Sequence, residues 1–137
     1  NKEGNLAIRL CSKLEQDIAV LSDNEKDMFL KEYNLSEPGL YKLIHAAFKL
    51  LGLETFFTGG SKQVRSWTIK KGTIAPDAAG EIHTDFQRGF IKAEVFKYND
   101  LVRLGSEKAV KDAGLAKLQG KDYVVQDGDC IYFHFNV

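Results

Sequence analysis

Three charged or ionisable side chains lie close together in the chain, and two of them are of types that perform acid–base chemistry: His83, Asp85 and Arg88. An imidazole and a carboxylate at this spacing could act as general acid and base. The neighbouring sequence specifies no nucleophile, however. Thr84 and Asp85 are equally typical of a turn and a helix cap, with Arg88 as the partner of the carboxylate. We therefore interpret these residues as structural, and we predict no catalytic residue in this chain.

The histidines and cysteines share no ligand spacing, so no metal site is predicted from His45, His83, His134, Cys11 and Cys130. Only the fold could bring these residues together. The two cysteines each lie in an apolar run, which is typical of buried free thiols in a reducing compartment.

No phosphate-binding motif occurs in the sequence, neither G-x-x-x-x-G-K-[ST] nor G-x-G-x-x-G. The glycine-rich run Thr-Gly-Gly-Ser-Lys at 58–62 comes before a predicted strand, whereas a phosphate cradle comes before a helix. We interpret this run as a flexible linker. The chain alone is therefore not expected to hydrolyse a nucleotide.

Residues 62–71 show the sharpest local charge asymmetry, with four basic residues and no acidic one. Basic side chains beside an aromatic ring can hold a phosphate backbone and stack a base, as in RNA-binding sheets. Strand alternation places Trp67 and Ile69 on one face, which we expect to be the core. For any single basic residue, a solvated surface is the simpler interpretation. As a group, they are predicted to form a rim that binds RNA or another partner: Lys62, Arg65, Lys70, Lys71, Arg88 and Lys92.

The overall composition predicts a folded protein without a general affinity for polyanions. The chain has 137 residues with 19 acidic and 19 basic side chains, which gives a net charge of zero. Its longest apolar stretch is interrupted by His45 and Lys49, so no membrane contact is expected. Cytoplasm is the expected location. Because the chain opens on Asn1 instead of Met, we expect it to be a piece of a longer protein.

The first third is predicted to be mainly helical. Residues 6–11 resemble a short strand, and a capping box from Ser12 to Glu15 predicts a helix over 13–21. Such a βα unit with no parallel partner downstream indicates the end of an α/β domain. A second box from Ser22 to Glu25 predicts a helix to about Tyr33.

A third helix is predicted after Pro38, with Gly52 as its C-terminal stop. Its apolar residues recur every three or four positions and form one stripe: Leu40, Leu43, Ile44, Ala47, Phe48 and Leu51.

From Leu53 onward the pattern changes to that of a mixed sheet. Strands are predicted over 64–71 and 90–98, with short helices over 78–83 and 106–113. The chain closes with two β-type runs around Asp127-Gly128, which predicts a final hairpin and a terminal strand central to the sheet. The order β, β, α, β, β predicts an α+β chain whose second part, after a boundary near Leu53, is a β-grasp (ubiquitin-like) domain.

Several blocks match a known family in sequence order: Phe-Thr-Gly-Gly at 57–60, Val-Arg-Ser-Trp-Thr-Ile at 64–69, Ala-Pro at 75–76, Ile-His-Thr-Asp-Phe at 82–86, and the segment from Gly120 to Val137. These blocks resemble the C-terminal part of the YchF or Obg-like ATPase family, a TRAFAC-class subfamily of P-loop NTPases. The resemblance implies that residues 53–137 form a TGS domain, a β-grasp module shared with threonyl-tRNA synthetases and stringent-response enzymes.

Residues 1–52 are similar to the end of the same family's nucleotide-binding domain. The resemblance implies that Cys11, Ser12 and Lys13 belong to the loop whose backbone lies against the purine base. The phosphate loop, the Mg-binding switch segments, the base-specificity motif and the coiled-coil arm have no counterpart in this sequence. ATP or GTP with Mg is therefore implied for the full-length parent, and no cofactor is expected for this chain alone.

The resemblance implies a region of a nucleotide hydrolase that associates with ribosomes, and a monomer is expected. The nucleotide would bind through the missing N-terminal domain, and the TGS domain would contact RNA, the ribosome or another domain. The alternative hypothesis is a ubiquitin-like protein-interaction module without RNA binding.

Overall fold

The computed structural model describes residues 6–59 and 63–137. The chain divides into two compact units, Asn1–Leu51 and Gly52–Val137. Within the described residues, no helix is long and apolar enough to cross a membrane.

The first unit contains three helices: α1 (Ser12–Ala19), α2 (Asp23–Glu32) and α3 (Gly39–Leu51). The capping box predicted for α2 is confirmed, because the Glu25 carboxylate accepts a hydrogen bond from the backbone N–H of Ser22 at 2.8 Å. Gly52 adopts a φ of +63° directly after α3, as expected of a helix-terminating glycine.

Two predictions for the start of this unit are wrong. Residues 6–11 form no strand, although Cys11 is extended, because no strand is available within the described residues of this unit to pair with them. The box at Ser12 does not form either. The Glu15 carboxylate instead accepts hydrogen bonds from the backbone N–H groups of Gly39 at 2.8 Å and Leu40 at 3.1 Å, so it caps α3.

The predicted apolar stripe of α3 is largely exposed. Leu40, Leu43 and Ile44 each leave at least two fifths of their surface in solvent, and Ile18 is the buried hydrophobic residue among the described residues of this unit. Cys11 is also exposed, so the prediction that both cysteines are buried holds only for Cys130. The local sequence indicates which residues are apolar but not whether another element covers them.

The second unit contains five strands and four helices: β1 (Leu53–Gly59), β2 (Val64–Lys70), α4 (Ala75–Ile82), α5 (Thr84–Arg88), β3 (Phe90–Lys97), α6 (Tyr98–Leu104), α7 (Glu107–Asp112), β4 (Lys117–Gln119) and β5 (Asp129–Phe135). The predicted α+β class is confirmed. The glycine-rich run predicted as a linker begins inside β1, where Gly59 pairs with Val64 of β2, and Gly60, Ser61 and Lys62 lie outside the described residues.

The strand order is β2-β1-β5-β3-β4. The central strands β1 and β5 are parallel, while β1–β2, β3–β5 and β3–β4 are antiparallel. With α4 packed on one face, this is the β-grasp arrangement, and the terminal strand is central as predicted. The order of strands places the chain's last strand between its first and third.

The predicted closing hairpin does not form. Val124 makes an antiparallel bridge to Ile74 instead of pairing with β5. The turn itself is present: Gly128 has a φ of +76°, and its N–H donates to the carbonyl of Thr55 at 2.8 Å. The Asp127 carboxylate accepts from the N–H of Thr55 at 2.8 Å. These contacts with β1 direct the chain into the sheet centre instead of back along itself.

The two faces of the sheet have separate hydrophobic clusters. The face under α4 buries Phe56, Ile131 and Phe133, and the half-buried Trp67 packs against this cluster while its Nε1 donates to Thr58 Oγ1 at 2.9 Å. The opposite face buries a smaller cluster of Phe96, Val110 and Cys130 beneath α6 and α7. The remainder of this second face stays open.

Candidate functional site

A groove of about 650 Å³ lies on the open face of the sheet. Its aromatic lining comes from Phe57 of β1, Phe96 of β3, and Tyr132 and His134 of β5. The rings of Tyr132 and His134 meet edge to face with centroids 5.0 Å apart. Gly59 contributes no side chain to the lining. Tyr132 is 57% exposed, so its ring is available to a ligand.

Three charged side chains also line this groove: Glu94, Glu107 and Lys111. Lys111 Nζ lies 3.0 Å from a Glu94 carboxylate oxygen, and this hydrogen bond raises the pKa of Lys111 above its ordinary value. Within the described residues, the Glu107 carboxylate accepts no hydrogen bond. Two carboxylates and one ammonium leave the groove with one negative charge when His134 is neutral.

Cys130 lines the same groove but is not suited to act as a nucleophile. Burial, together with the charges of Asp129 and Glu107, raises the pKa of its thiol from 9.0 to about 11. Because the thiolate is the reactive form, this cysteine is expected to be unreactive at neutral pH.

In a thiol titration of the native chain with Ellman's reagent near neutral pH, we expect the exposed Cys11 to react promptly and the buried Cys130 to react only after addition of urea. The raised pKa also links stability to pH, because the Cys130 thiol loses its proton more easily in the unfolded chain. Its stabilising contribution is therefore complete below pH 9.0 and is lost as the pH rises toward about 11. Cys11→Ser supplies the control, because the native chain should then show no fast thiol. Prompt reaction of that variant would contradict the assignment.

The histidine and carboxylate that suggested acid–base chemistry have a structural role. His83 Nδ1 accepts a hydrogen bond from the Asp85 backbone N–H at 3.1 Å and caps α5. Arg88 Nη1 lies 3.9 Å from the Asp85 carboxylate, as the structural interpretation expects. The residue that caps α5 is therefore His83, whereas the sequence had suggested Thr84 or Asp85.

The predicted basic residues do not converge on one patch. Arg65 and Lys70 lie near opposite ends of β2, about 17 Å apart at the usual strand rise, and the alternation of the strand directs them to opposite faces. Lys71 follows Lys70 in the turn after β2, and all three side chains are exposed.

Two further basic candidates lie away from β2. Arg88 ends α5, and Lys92 lies on β3 opposite His134, with two strands between β3 and β2. Lys62 lies outside the described residues. The site prediction therefore stays a prediction, and those of its residues that the structure describes occupy several separate positions on the surface.

The predicted base-side loop residues lie at the start of α1. Cys11 is extended and precedes the helix, Ser12 begins it, and Lys13 forms an ion pair with Asp17 at 2.7 Å. In the part of the chain that the structure describes, no three His, Cys, Asp or Glu side chains are grouped so that they could hold a metal ion.

One sequence signal, the alternation of residues in β5, points to part of the groove lining. In β5, Ile131 and Phe133 face the core, so Tyr132 and His134 must face the other side of the sheet. The alternation was therefore readable from the sequence. Nothing in the sequence indicated that Glu94, Glu107 and Lys111 line the same groove, because they lie on β3 and α7, which only the fold brings next to β5.

Comparison with known proteins places this second unit in a family. The family model YchF-GTPase_C, described as "Protein of unknown function (DUF933)", matches residues 53–136. The chain belongs to the YchF-GTPase_C family. The predicted resemblance to the C-terminal part of YchF proteins is thereby confirmed.

Two relatives align with nearly the whole length of this chain. It is 54% identical over 130 residues to the ribosome-binding ATPase YchF of Bacillus subtilis, which matches 95% of this chain and 36% of that protein. It is 52% identical over 133 residues to Obg-like ATPase 1 of Homo sapiens, which matches 97% of this chain and 33% of that protein.

A solved structure of the same family has the same fold. The Schizosaccharomyces pombe YchF GTPase superimposes on 98% of this chain and 35% of its own with a TM-score of 0.82 and 36% identity. The chain thus spans about a third of the length of the relatives it matches.

Proposed function

We propose that this chain is the C-terminal region of a YchF-type nucleotide-binding protein and that its β-grasp unit helps the parent protein to associate with the ribosome. The observation that carries this proposal is the 54% identity, across 95% of the chain, to a protein named as a ribosome-binding ATPase. In this proposal, residues 53–137 are a TGS domain, residues 1–52 end the nucleotide-binding domain, and the protein acts in the cytoplasm as a monomer.

The parent would bind ATP or GTP with Mg through residues outside this chain. The side chains present do not fit the phosphate and metal part of such a site, because the sequence has no phosphate loop and the described residues offer no metal-ligand cluster. The contribution left to this chain is the backbone of Cys11, Ser12 and Lys13 beside the purine base.

The basic side chains of β2 and its turn are the proposed contacts to ribosomal RNA. β2 is an edge strand of the sheet, and Arg65, Lys70 and Lys71 are exposed along its length. Lys and Arg supply most phosphate contacts, and each contact contributes to the salt dependence of binding. Because these residues are spread over about 17 Å, they suit a backbone that runs along the edge instead of a single phosphate.

Charge reversal provides the test. In the full-length parent, the triple variant Arg65→Glu, Lys70→Glu and Lys71→Glu should reduce cosedimentation with ribosomes on the order of tenfold or more at physiological salt and flatten its salt dependence. The matched control reverses three exposed lysines elsewhere on the unit, Lys108, Lys117 and Lys121.

Equal losses in both triple variants would show that only total charge matters. Unchanged cosedimentation of the β2 variant, with its circular dichroism spectrum intact, would refute the proposed contact.

Protein recognition is a second candidate function for the same unit, and the open-face groove favours it. This groove has an aromatic lining and no excess of positive charge, which is typical of a protein-binding surface. The groove includes Val64 of β2 but not Arg65, Lys70 or Lys71, so the two functions do not exclude one another.

A further inference from the structure

The open-face groove is lined by both an exposed aromatic ring and a carboxylate. Tyr132 supplies the ring, and Glu107 supplies the carboxylate from the first turn of α7. Both groups line the same groove, so a single ligand can contact both.

Gly59 creates the space between these groups. A Cβ atom placed on Gly59 would lie 3.2 Å from a Glu107 carboxylate oxygen, a tight contact from which this side chain would have to move by a few tenths of an ångström. A branched side chain at this position of β1 would therefore push the Glu107 carboxylate aside and occupy part of the groove. The glycine keeps the carboxylate accessible from the groove.

We propose that this groove binds an arginine side chain of a protein partner, with the guanidinium group held by the Glu107 carboxylate and stacked on the Tyr132 ring. A planar guanidinium can make two parallel hydrogen bonds to a carboxylate while its face lies on an aromatic ring. The charge of the lining agrees with this ligand, because Lys111 is already paired with Glu94 and Glu107 carries the remaining negative charge.

The same charges disfavour RNA in the groove. Tyr132 and His134 could stack bases, but a phosphate backbone would pass the carboxylates of Glu94 and Glu107. Lysine is a poorer ligand than arginine here, because its ammonium is strongly hydrated and makes no planar stack on the ring.

The test uses a fluorescein-labelled hexaarginine peptide and the complete chain at physiological salt, with binding followed by fluorescence anisotropy. Glu107→Gln should weaken binding on the order of tenfold, because it removes a charge-assisted hydrogen bond. Tyr132→Ala should weaken binding through loss of the stacking surface. Glu81→Gln is the matched control, since it makes the same charge change at an exposed position on α4, on the other face of the sheet.

A second variant tests the groove without changing its charge. Gly59→Val should abolish binding of hexaarginine by filling the floor while leaving thermal unfolding of the chain nearly unchanged. In a ¹⁵N-labelled chain, hexaarginine should shift the amide signals of Gly59, Glu107 and Tyr132, and hexalysine should shift them less.

Equal weakening by Glu107→Gln and Glu81→Gln would show non-specific charge attraction and overturn the proposal. Hexaarginine binding without shifts at the groove would also overturn it. A separate titration with single-stranded RNA should leave the groove signals in place, and stronger shifts there with RNA than with hexaarginine would assign the groove to nucleic acid.

Discussion

Replacing Phe56 by alanine is expected to lower the free energy of unfolding of the second unit by about 3–5 kcal/mol, the usual cost of truncating a buried phenylalanine. Phe56 is fully buried in the central strand β1, and its ring meets that of Phe133 edge to face at 5.9 Å. The truncation leaves a cavity on the face of the sheet beneath α4, among the other buried side chains of this cluster.

Urea unfolding followed through Trp67 measures this loss, because Trp67 is the single tryptophan of the chain and packs against the same cluster. Val64→Ala is the control: Val64 is 72% exposed on the neighbouring strand, and its truncation should cost less than about 0.5 kcal/mol. A similar small effect for Phe56→Ala would contradict the assignment of Phe56 to the core.

Replacing Asp129 by alanine is expected to cost about 3 kcal/mol, near the lower end for breaking a buried charged pair. Asp129 is fully buried, and its carboxylate accepts hydrogen bonds from Lys97 Nζ at 2.6 Å, Tyr123 OH at 2.7 Å and the Gln126 backbone N–H at 2.9 Å. The variant leaves the Tyr123 and Gln126 donors without this acceptor. The loss stays near the lower end because the Lys97 side chain is partly exposed and can be solvated.

Burial and the bond to Asp129 raise the pKa of Tyr123 well above its ordinary value. The phenol therefore stays protonated and continues to donate across the neutral range, so the effect of Asp129→Ala should not change with pH there. Urea unfolding at two pH values checks this, with the exposed Asp112→Ala as control. Asp129→Asn should fall between wild type and alanine, because the amide oxygen still accepts a hydrogen bond. A loss for Asp129→Ala no larger than for Asp112→Ala would refute this account.

Local signals predicted several elements of this chain well. The box at Ser22 and Glu25 and the stop at Gly52 are confirmed, because a helix cap is formed by residues a few positions apart. The box at Ser12 has the same sequence pattern but does not form. Glu15 binds the start of α3 instead, 24 residues away, and only the packing of the helices decides between the two partners.

The final strand shows the same limit in the sheet. Its residue types predicted a strand, and its terminal position predicted a central one, both correctly. The Asp-Gly turn also predicted a hairpin, yet Val124 bridges Ile74 while β5 pairs with β1 and β3. Turn chemistry specifies a local change of direction, whereas strand partners are chosen by distant segments.

By itself, the sequence determined the α+β class, the family and the positions of most helices, because these depend on local periodicity and on blocks of residues in order. Only the tertiary structure decided which surfaces are available to partners. It separated Arg65 from Lys70 along an edge strand, and it joined Tyr132, Gly59 and Glu107 in one groove. The physical reason is that strand alternation assigns residues to two faces, while the long-range packing of α4 and α7 decides which parts of those faces are covered.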